Sequence, residues 1–303
     1  MSAMFAQQSA AWKAYAALIS GLLIIGFSAI FVRAADAPGM VTGFYRMGIG
    51  TLILTIPFLL RLRRRGRLAW DGIAFAAAAG VFFGADLSAW MTGIALSGAT
   101  LPTLFGNTAP LWVGLGSWLL FKERLGAQFW LGLGLALAGA SLILGLDLVN
   151  NLRLDPGSLL GLLSGFFYGC YFLVSQPGRK RLDALSFFWT AGLCSTLTLL
   201  ATSLLFGHAL TGYSSATYLN FIAQGVIIQA AGWLLLSYAQ GYLPASIVAA
   251  TLLGQPVLTA ALAVPLLGEF LRPVEIFGGL AVLAGIMLVH RSRRPKLDIV
   301  ATP

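Results

Sequence analysis

The sequence predicts an all-α integral membrane protein whose ten transmembrane helices form two inverted five-helix repeats. Three observations predict it. Of its 303 residues 58% are hydrophobic and 10% charged, where an ordinary soluble domain is about a quarter charged. Shifting the numbering by 146 lays Ala99–Leu142 on Ala245–Leu288 without a gap, so that Pro110 falls on Pro256, Glu123 on Glu269, Gly132 on Gly278 and Gly139 on Gly285. A long-period repeat in so apolar a chain points to fused transporter halves rather than a solenoid. Finally, the basic residues gather in short clusters between apolar runs, as the positive-inside rule requires.

About 20 apolar residues cross a bilayer core, and ten such runs are present. Trp12–Val32 is the first. Ala35-Asp36-Ala37 after it resembles a signal-peptidase site, but the run is too long for a leader and only Lys13 precedes it, so it reads as an uncleaved helix. Pro38–Leu60 precedes the arginine cluster Arg61 to Arg67, and Gly72–Leu96 carries Gly80 and Gly84 at helix-contact spacing. Leu101–Phe121 holds the central Pro110 and runs to the Glu123-Arg124-Leu125 turn, and the glycine-rich Ala127–Leu146 closes the first half, residues 1–150. In the second half, residues 151–303, Gly157–Ser175 carries Gly161, Gly165 and Gly169, and Leu185–Phe206 and Thr217–Ala239 follow. Ala245–Leu267 with Pro256 and the glycine-rich Pro273–His290 complete it. The two halves together make one membrane domain.

Direction follows from charge. With the N-terminus inside, Lys13, the five arginines of 61–67, Lys122, Arg124, Arg179, Lys180, Arg181, Arg291, Arg293, Arg294 and Lys296 lie on the inner side, 15 of the 19 Lys and Arg. Arg33, Arg153 and Arg272 lie outside, and Arg46 lies within a span. Both termini are therefore expected in the cytoplasm. Five spans per half is an odd number, so equivalent helices run in opposite directions. The basic loop Phe121-Lys122-Glu123-Arg124 has as its counterpart Leu267-Gly268-Glu269-Phe270, which has lost both cations. The front of each half aligns at an offset near 143, with Tyr45-Arg46 on Phe188-Trp189.

Most soluble chemistry is excluded. The net charge of +9 is distributed by topology and implies no nucleic-acid partner. None of the four lysines follows a glycine, so there is no phosphate-binding loop for ATP. His208 and His290 have no metal-site spacing, no cofactor is implied, and Cys170 and Cys194 read as small buried hydrophobes.

Intramembrane polar groups carry the functional signal, because hydrocarbon makes them costly. Arg46 lies about 12 Å and Asp86 about 15 Å below the outer ends of their helices, a depth that permits an ion pair. Such a pair either fixes packing or handles substrate or protons. Glu123 and Glu269 read as caps of the glycine-rich helices that follow them. Near mid-depth Trp90, Asn107, Trp112, Tyr168, Tyr171, Gln229, Trp233 and Gln255 join Asp86 as candidate substrate-binding residues, with Phe83 and Ser28 nearby. Any one aromatic there reads more readily as packing or lipid-facing. Pro110 and Pro256 each remove a backbone hydrogen bond near the bilayer centre and are hinge candidates. Gln255, beside one of them, serves either a substrate or the broken backbone.

Two five-helix halves, each ending in a proline-containing helix, a Glu-x-Leu turn and a glycine-rich helix, with Phe44-Tyr45 before Arg46, resemble the drug/metabolite transporter superfamily. Over Ala14 to Arg291 the chain resembles its EamA-type members, and among them the bacterial YddG-type aromatic amino-acid exporters. The resemblance implies a secondary transporter of the bacterial inner membrane that exports aromatic or other apolar amino acids and related metabolites by alternating access. It would need no ATPase subunit and could work as a monomer. The readings set beside it are a transporter of a different small metabolite, a membrane-embedded enzyme handling lipid or isoprenoid, and a non-transporting helper subunit. A cysteine placed at Arg65 is expected to label only from the cytoplasm and one at Ser214 only from the opposite side; same-side labelling would overturn the topology.

Overall fold

The computed structural model describes residues 2–98, 100–145, 155–268 and 270–292, and every regular element among them is helical. Helix α1 (Ser2–Gly26) continues through a kink at Phe27 into α2 (Ser28–Arg33). Helices α3 (Gly39–Arg65) and α4 (Trp70–Ser97) are unbroken, whereas α5 (Thr100–Gly106) and α6 (Ala109–Phe121) are two pieces of one run, and α7 (Ala127–Ile143) follows. Next come α8 (Pro156–Arg179), α9 (Ala184–Leu205) and α10 (Ser215–Ala223). A π-helix, Gln224–Trp233, leads on to α11 (Leu234–Gln240), and α12 (Ala245–Leu252), α13 (Gln255–Leu267) and α14 (Pro273–Arg291) complete the chain. Among the described residues eight helical runs are long and apolar enough to cross a membrane, and Ala127–Ile143 is apolar but shorter.

The 146-residue offset recurs in backbone detail. The breaks at Asn107-Thr108 and Leu253-Gly254 correspond, and each is followed by a helix with proline in its first turn, where the missing N–H does no harm. Both broken runs end in a left-handed residue, Lys122 (φ 52°) and Gly268 (φ 68°), and α7 and α14 begin at the equivalent Ala127 and Pro273. Lys122 is the one non-glycine residue with positive φ among those described. The capping expected of Glu123 is corrected. Gly126 stands at the N-cap of α7 with no side-chain bond, and Glu123 accepts instead from Gln176 Nε2 of α8 at 3.4 Å. The expected counterpart Glu269 lies outside the described residues, and Glu275 serves the first turn of α14, accepting from Arg272 N at 2.9 Å.

Helices pack mainly across the two sequence halves. Helix α4 lies on α8 and α9, α3 on α9 and the π-helix, α1 on α11 and the π-helix, and α5 and α6 on α8. The larger apolar core accordingly mixes Leu18 and Phe83 with Phe172, Phe187 and Leu236. A second core, around Phe129, Leu133, Ile247 and Val282, lies where α7, α12 and α14 meet. Here the glycines decide the approach. A methyl group built on Gly132 would stand 2.8 Å from the Gly285 carbonyl oxygen, and one on Gly278 would stand 2.7 Å from that of Gly139. Each glycine thus meets the repeat-mate of the other.

The basic turns collect at one end of the bundle. Arg61 Nε bonds Asp183 Oδ2 at 2.7 Å, and Arg181 pairs with Asp71. Asp183 also caps α9, accepting from Ser186 N at 3.0 Å. Burial alone would raise its pKa, but the Ser186 bonds and the Arg61 guanidinium outweigh that and hold it below the ordinary carboxylate value. Arg179 is no loop cation but a buried one, its guanidinium donating to the carbonyls of Ser237 and Leu182. At the other end Tyr45 donates to Leu210 O at 2.8 Å.

One substitution at two positions should separate packing from propensity. In a helix Gly→Ala gains about 0.5–1 kcal/mol. Gly134, with nothing within 4 Å of a built methyl, should give that gain as a raised melting temperature. Gly139→Ala should lower it, because overpacking against backbone costs about 1–3 kcal/mol. A rise at both would remove the close approach from the account.

Candidate functional site

Asp86 of α4 and Arg46 of α3 are both buried, at 6% and 7% exposure. Their expected direct pairing is not what the structure contains. Asp86 Oδ1 accepts from Ser164 Oγ of α8 at 2.6 Å, while Arg46 reaches only Ser28 Oγ at 3.5 Å and its Nε has no hydrogen-bond partner. The reason is packing. Helix α4 makes its main contacts with α8 and α9 rather than with α3, so Asp86 finds its partner on α8.

An aromatic cluster adjoins Asp86. Phe83, one helical turn away on α4, has its ring centroid 4.9 Å from Tyr171 and 4.6 Å from Trp233. Tyr168 lies 6.1 Å from Phe83, 6.3 Å from Tyr171 and 6.2 Å from Trp233. Spacing makes this possible: Ser164, Tyr168 and Tyr171 recur at i, i+4 and i+7 along α8 and share a face. The glycine stripe occupies another face of the same helix. Gly161 meets Pro102, Gly165 meets Phe105 and Thr108, and Gly169 meets Trp112, so the α5–α6 break lies directly against α8.

The remaining sequence candidates divide. Trp90 Nε1 donates to Thr103 Oγ1 of α5 at 3.0 Å, and Trp112 packs edge-on to Phe166 at 5.4 Å with its buried indole N–H unpartnered. Asn107 stands in the α5–α6 break with Nδ2 buried and unpartnered. Gln229, in the π-helix, is 1% exposed and lacks a partner at both amide atoms. Gln255 goes elsewhere: its Nε2 points to Ile25 O at 3.5 Å, beside Thr259 Oγ1 on Gly26 O at 3.0 Å, so both serve the kink between α1 and α2. Pro110 and Pro256 each stand just after a helix break. Sequence reasoning missed Ser164 as the partner of Asp86, though its i, i+4, i+7 spacing with Tyr168 and Tyr171 was a signal that could have found it. It also missed the π-helix, a rare form that often occurs at functional sites and that no composition signal announces. Among the described residues no group of His, Cys, Asp or Glu could hold a metal.

Long apolar helices with a carboxylate, a guanidinium and an aromatic cluster buried among them define a polytopic membrane protein. The chain belongs to the EamA-like transporter family, whose model matches it twice, over residues 12–145 and 155–291. It is 26% identical to an uncharacterized transporter of Archaeoglobus fulgidus over 277 residues, 91% of this chain and 96% of that one. It is 34% identical to an uncharacterized protein of Pseudomonas aeruginosa over 82% of this chain and 83% of the relative. With an uncharacterized transporter of Bacillus subtilis it shares 26% identity over 86% of each. A crystal structure of 17% identity superposes with a TM-score of 0.76, covering 94% of this chain and 99% of its own, and shows the same fold. Family and relatives point to a membrane transporter of small molecules rather than an enzyme.

The geometry orders two couplings. In double-mutant cycles read by thermal unfolding, Ser164→Ala with Asp86→Asn should show the larger interaction energy, about 1.5–3 kcal/mol for a hydrogen bond to a charged group. Arg46→Leu with Asp86→Asn should show less. The reverse order would mean that the two charges are in contact.

Proposed function

We propose that this transporter exports amino acids with aromatic or other apolar side chains, and related metabolites, out of a bacterial-type cell by alternating access. The observation that carries the reading is a pair of buried opposite charges with no salt bridge between them, Asp86 held on Ser164 and Arg46 with an unpartnered Nε, beside an aromatic cluster. A buried charge left without its counterion costs about 3–5 kcal/mol. A zwitterion brings both counterions: an α-ammonium for Asp86 and an α-carboxylate for Arg46. Its side chain would enter among Phe83, Tyr168, Tyr171 and Trp233. Asn107 and Gln229 hold buried amide atoms in need of partners, each worth about 1–3 kcal/mol when satisfied.

The architecture in this reading has ten spans, with α5–α6 and α7 added to the eight long runs, in two inverted halves. The matched offsets of break, cap and helix start support it, as does the reciprocal glycine contact. The basic end faces the cytoplasm of the inner membrane, and one chain holds the whole site, so a monomer suffices. The moving bodies are not the sequence halves, which interleave too closely to rock apart. They are mixed bundles, α4, α5 and α6 with α8 against α1 with the π-helix, α11 and α13, with the breaks before Pro110 and Pro256 as hinges. Gln255 enters as a support of the α1–α2 kink.

Counterflow of labelled phenylalanine into proteoliposomes holding only this protein is the test. Wild type should exchange phenylalanine but neither phenylpropionate, which lacks the ammonium, nor phenethylamine, which lacks the carboxylate. Asp86→Asn should stay folded and lose at least about tenfold in rate, the equivalent of 1.4 kcal/mol. No exchange of any aromatic or aliphatic amino acid, or an unchanged rate in Asp86→Asn, would overturn the reading.

A further inference from the structure

At the basic end, between the last turns of α3, the 179–183 turn and the end of α11, lies a cavity of about 870 Å³. Sites for small ligands occupy about 300–1,000 Å³. The charge around it is unbalanced. Asp183 takes Arg61 and Asp71 takes Arg181, while Arg179 is committed to backbone carbonyls. Arg64, Arg65 and Arg67 also line the cavity, are exposed, and have no carboxylate partner among the described residues. The ion pairs fix the walls, and these three arginines surround a space that holds no anion of the protein's own to match them.

The other wall is apolar. Pro57, Leu60, Arg61 and Arg64 recur at i, i+3, i+4 and i+7 and so share one face of α3. Along about 10 Å of helix that face turns from hydrocarbon to cationic. Leu60 is 47% exposed, and Ile56 and Leu59 beside it are 69% and 49% exposed, so the apolar side opens toward the bilayer. A soluble anion would use only the cationic half of this surface; an amphiphile with a phosphate head uses both. Tyr238 and Tyr242 also line the cavity.

We propose that this cavity binds the phosphate headgroup of an anionic phospholipid, with Arg64, Arg65 and Arg67 around the phosphate and an acyl chain along Pro57 and Leu60. The site is separate from the aromatic cluster, and its occupancy ties α3 to α11 and to the 179–183 turn. Basic segments at the cytoplasmic surface attract anionic lipid at about 1 kcal/mol per Lys or Arg; the cavity adds shape to that attraction.

The test uses the full chain purified in a neutral detergent, with thermal unfolding followed during titration by phosphatidylglycerol, phosphatidylcholine or inorganic phosphate. Phosphatidylglycerol should raise the melting temperature by about 5 °C near saturation, and the other two by little. The triple variant R64Q/R65Q/R67Q should unfold as wild type does in phosphatidylcholine and lose the phosphatidylglycerol increment. The double variant K122Q/R124Q, which removes cations at the same end but outside the cavity, should keep it. Should the triple variant fail to fold, R67Q alone should weaken phosphatidylglycerol binding several-fold in native mass spectrometry. Equal stabilisation by phosphatidylcholine would overturn the proposal, as would full stabilisation by inorganic phosphate, which would leave the lipid out. Equal losses in the two multiple variants would reduce the effect to diffuse surface attraction and also overturn it, and so would an unchanged affinity in R67Q.

Discussion

Hydrocarbon offers a backbone carbonyl nothing to bond, and that single constraint governs where this chain is allowed to break. At Phe27 the first helix loses its regular ladder, and Gln255 and Thr259 of α13 direct side chains at the carbonyls of Ile25 and Gly26. Farther along, Asn220 donates to Phe31 O at 3.0 Å. In the α5–α6 break Thr108 turns its hydroxyl back on Phe105 O. Except in that last case, the donor comes from the opposite half of the sequence. The breaks and the interleaving therefore depend on each other. Pulling the halves apart would leave the interrupted helices with bare carbonyls in lipid.

That dependence explains what could and could not be read in advance. Helix positions follow from apolar run length, and the runs expected from the sequence coincide with described helices, although α1 begins at Ser2 rather than Trp12 and α3 runs on to Arg65 rather than Leu60. The 146-residue offset went further than sequence identity, since the breaks and left-handed caps follow it where the residues differ, as Lys122 and Gly268 do. Contacts between side chains were legible only where a spacing rule applied. The faces of α8 are an example: small residues every four positions, and Ser164, Tyr168 and Tyr171 on another side. Arg46 and Asp86 were matched by depth alone, and depth says nothing about which helix a face is turned toward. Gln255 is a similar case. Its neighbour in sequence is a proline, but the backbone it serves belongs to helix 1. The π-helix had no sequence signal; what stands beside it is a tertiary contact. Gly225 fits against Ile49, and the stem of Gln229 lies against Gly50 of α3.

Helix α8 shows how little material the central region uses. On one face it carries the serine that holds Asp86 and two rings of the cluster. On another its glycines let the α5–α6 break approach backbone to backbone. Close packing transmits displacement, so a shift of α5 and α6 is felt at Ser164 and Tyr168 without any intermediate element. The same helix ends in Arg179, whose buried guanidinium ties it to the end of α11. One rod therefore joins the charged centre to the basic end.

The glycine crossing of α7 and α14 has a consequence of another kind. Gly132 meets Gly285 and Gly139 meets Gly278, and 285 and 278 are the repeat equivalents of 139 and 132. Contacts that exchange in this way are those of an isologous pair, in which one surface is complementary to itself. A single half could present the same seam to a second copy of itself, in which case any change in that half would be written into the seam twice. Joining the copies in one chain removes that duty. Each side of the seam can then change alone, and the loops flanking it, such as those at Lys122 and Gly268, are free to diverge in charge.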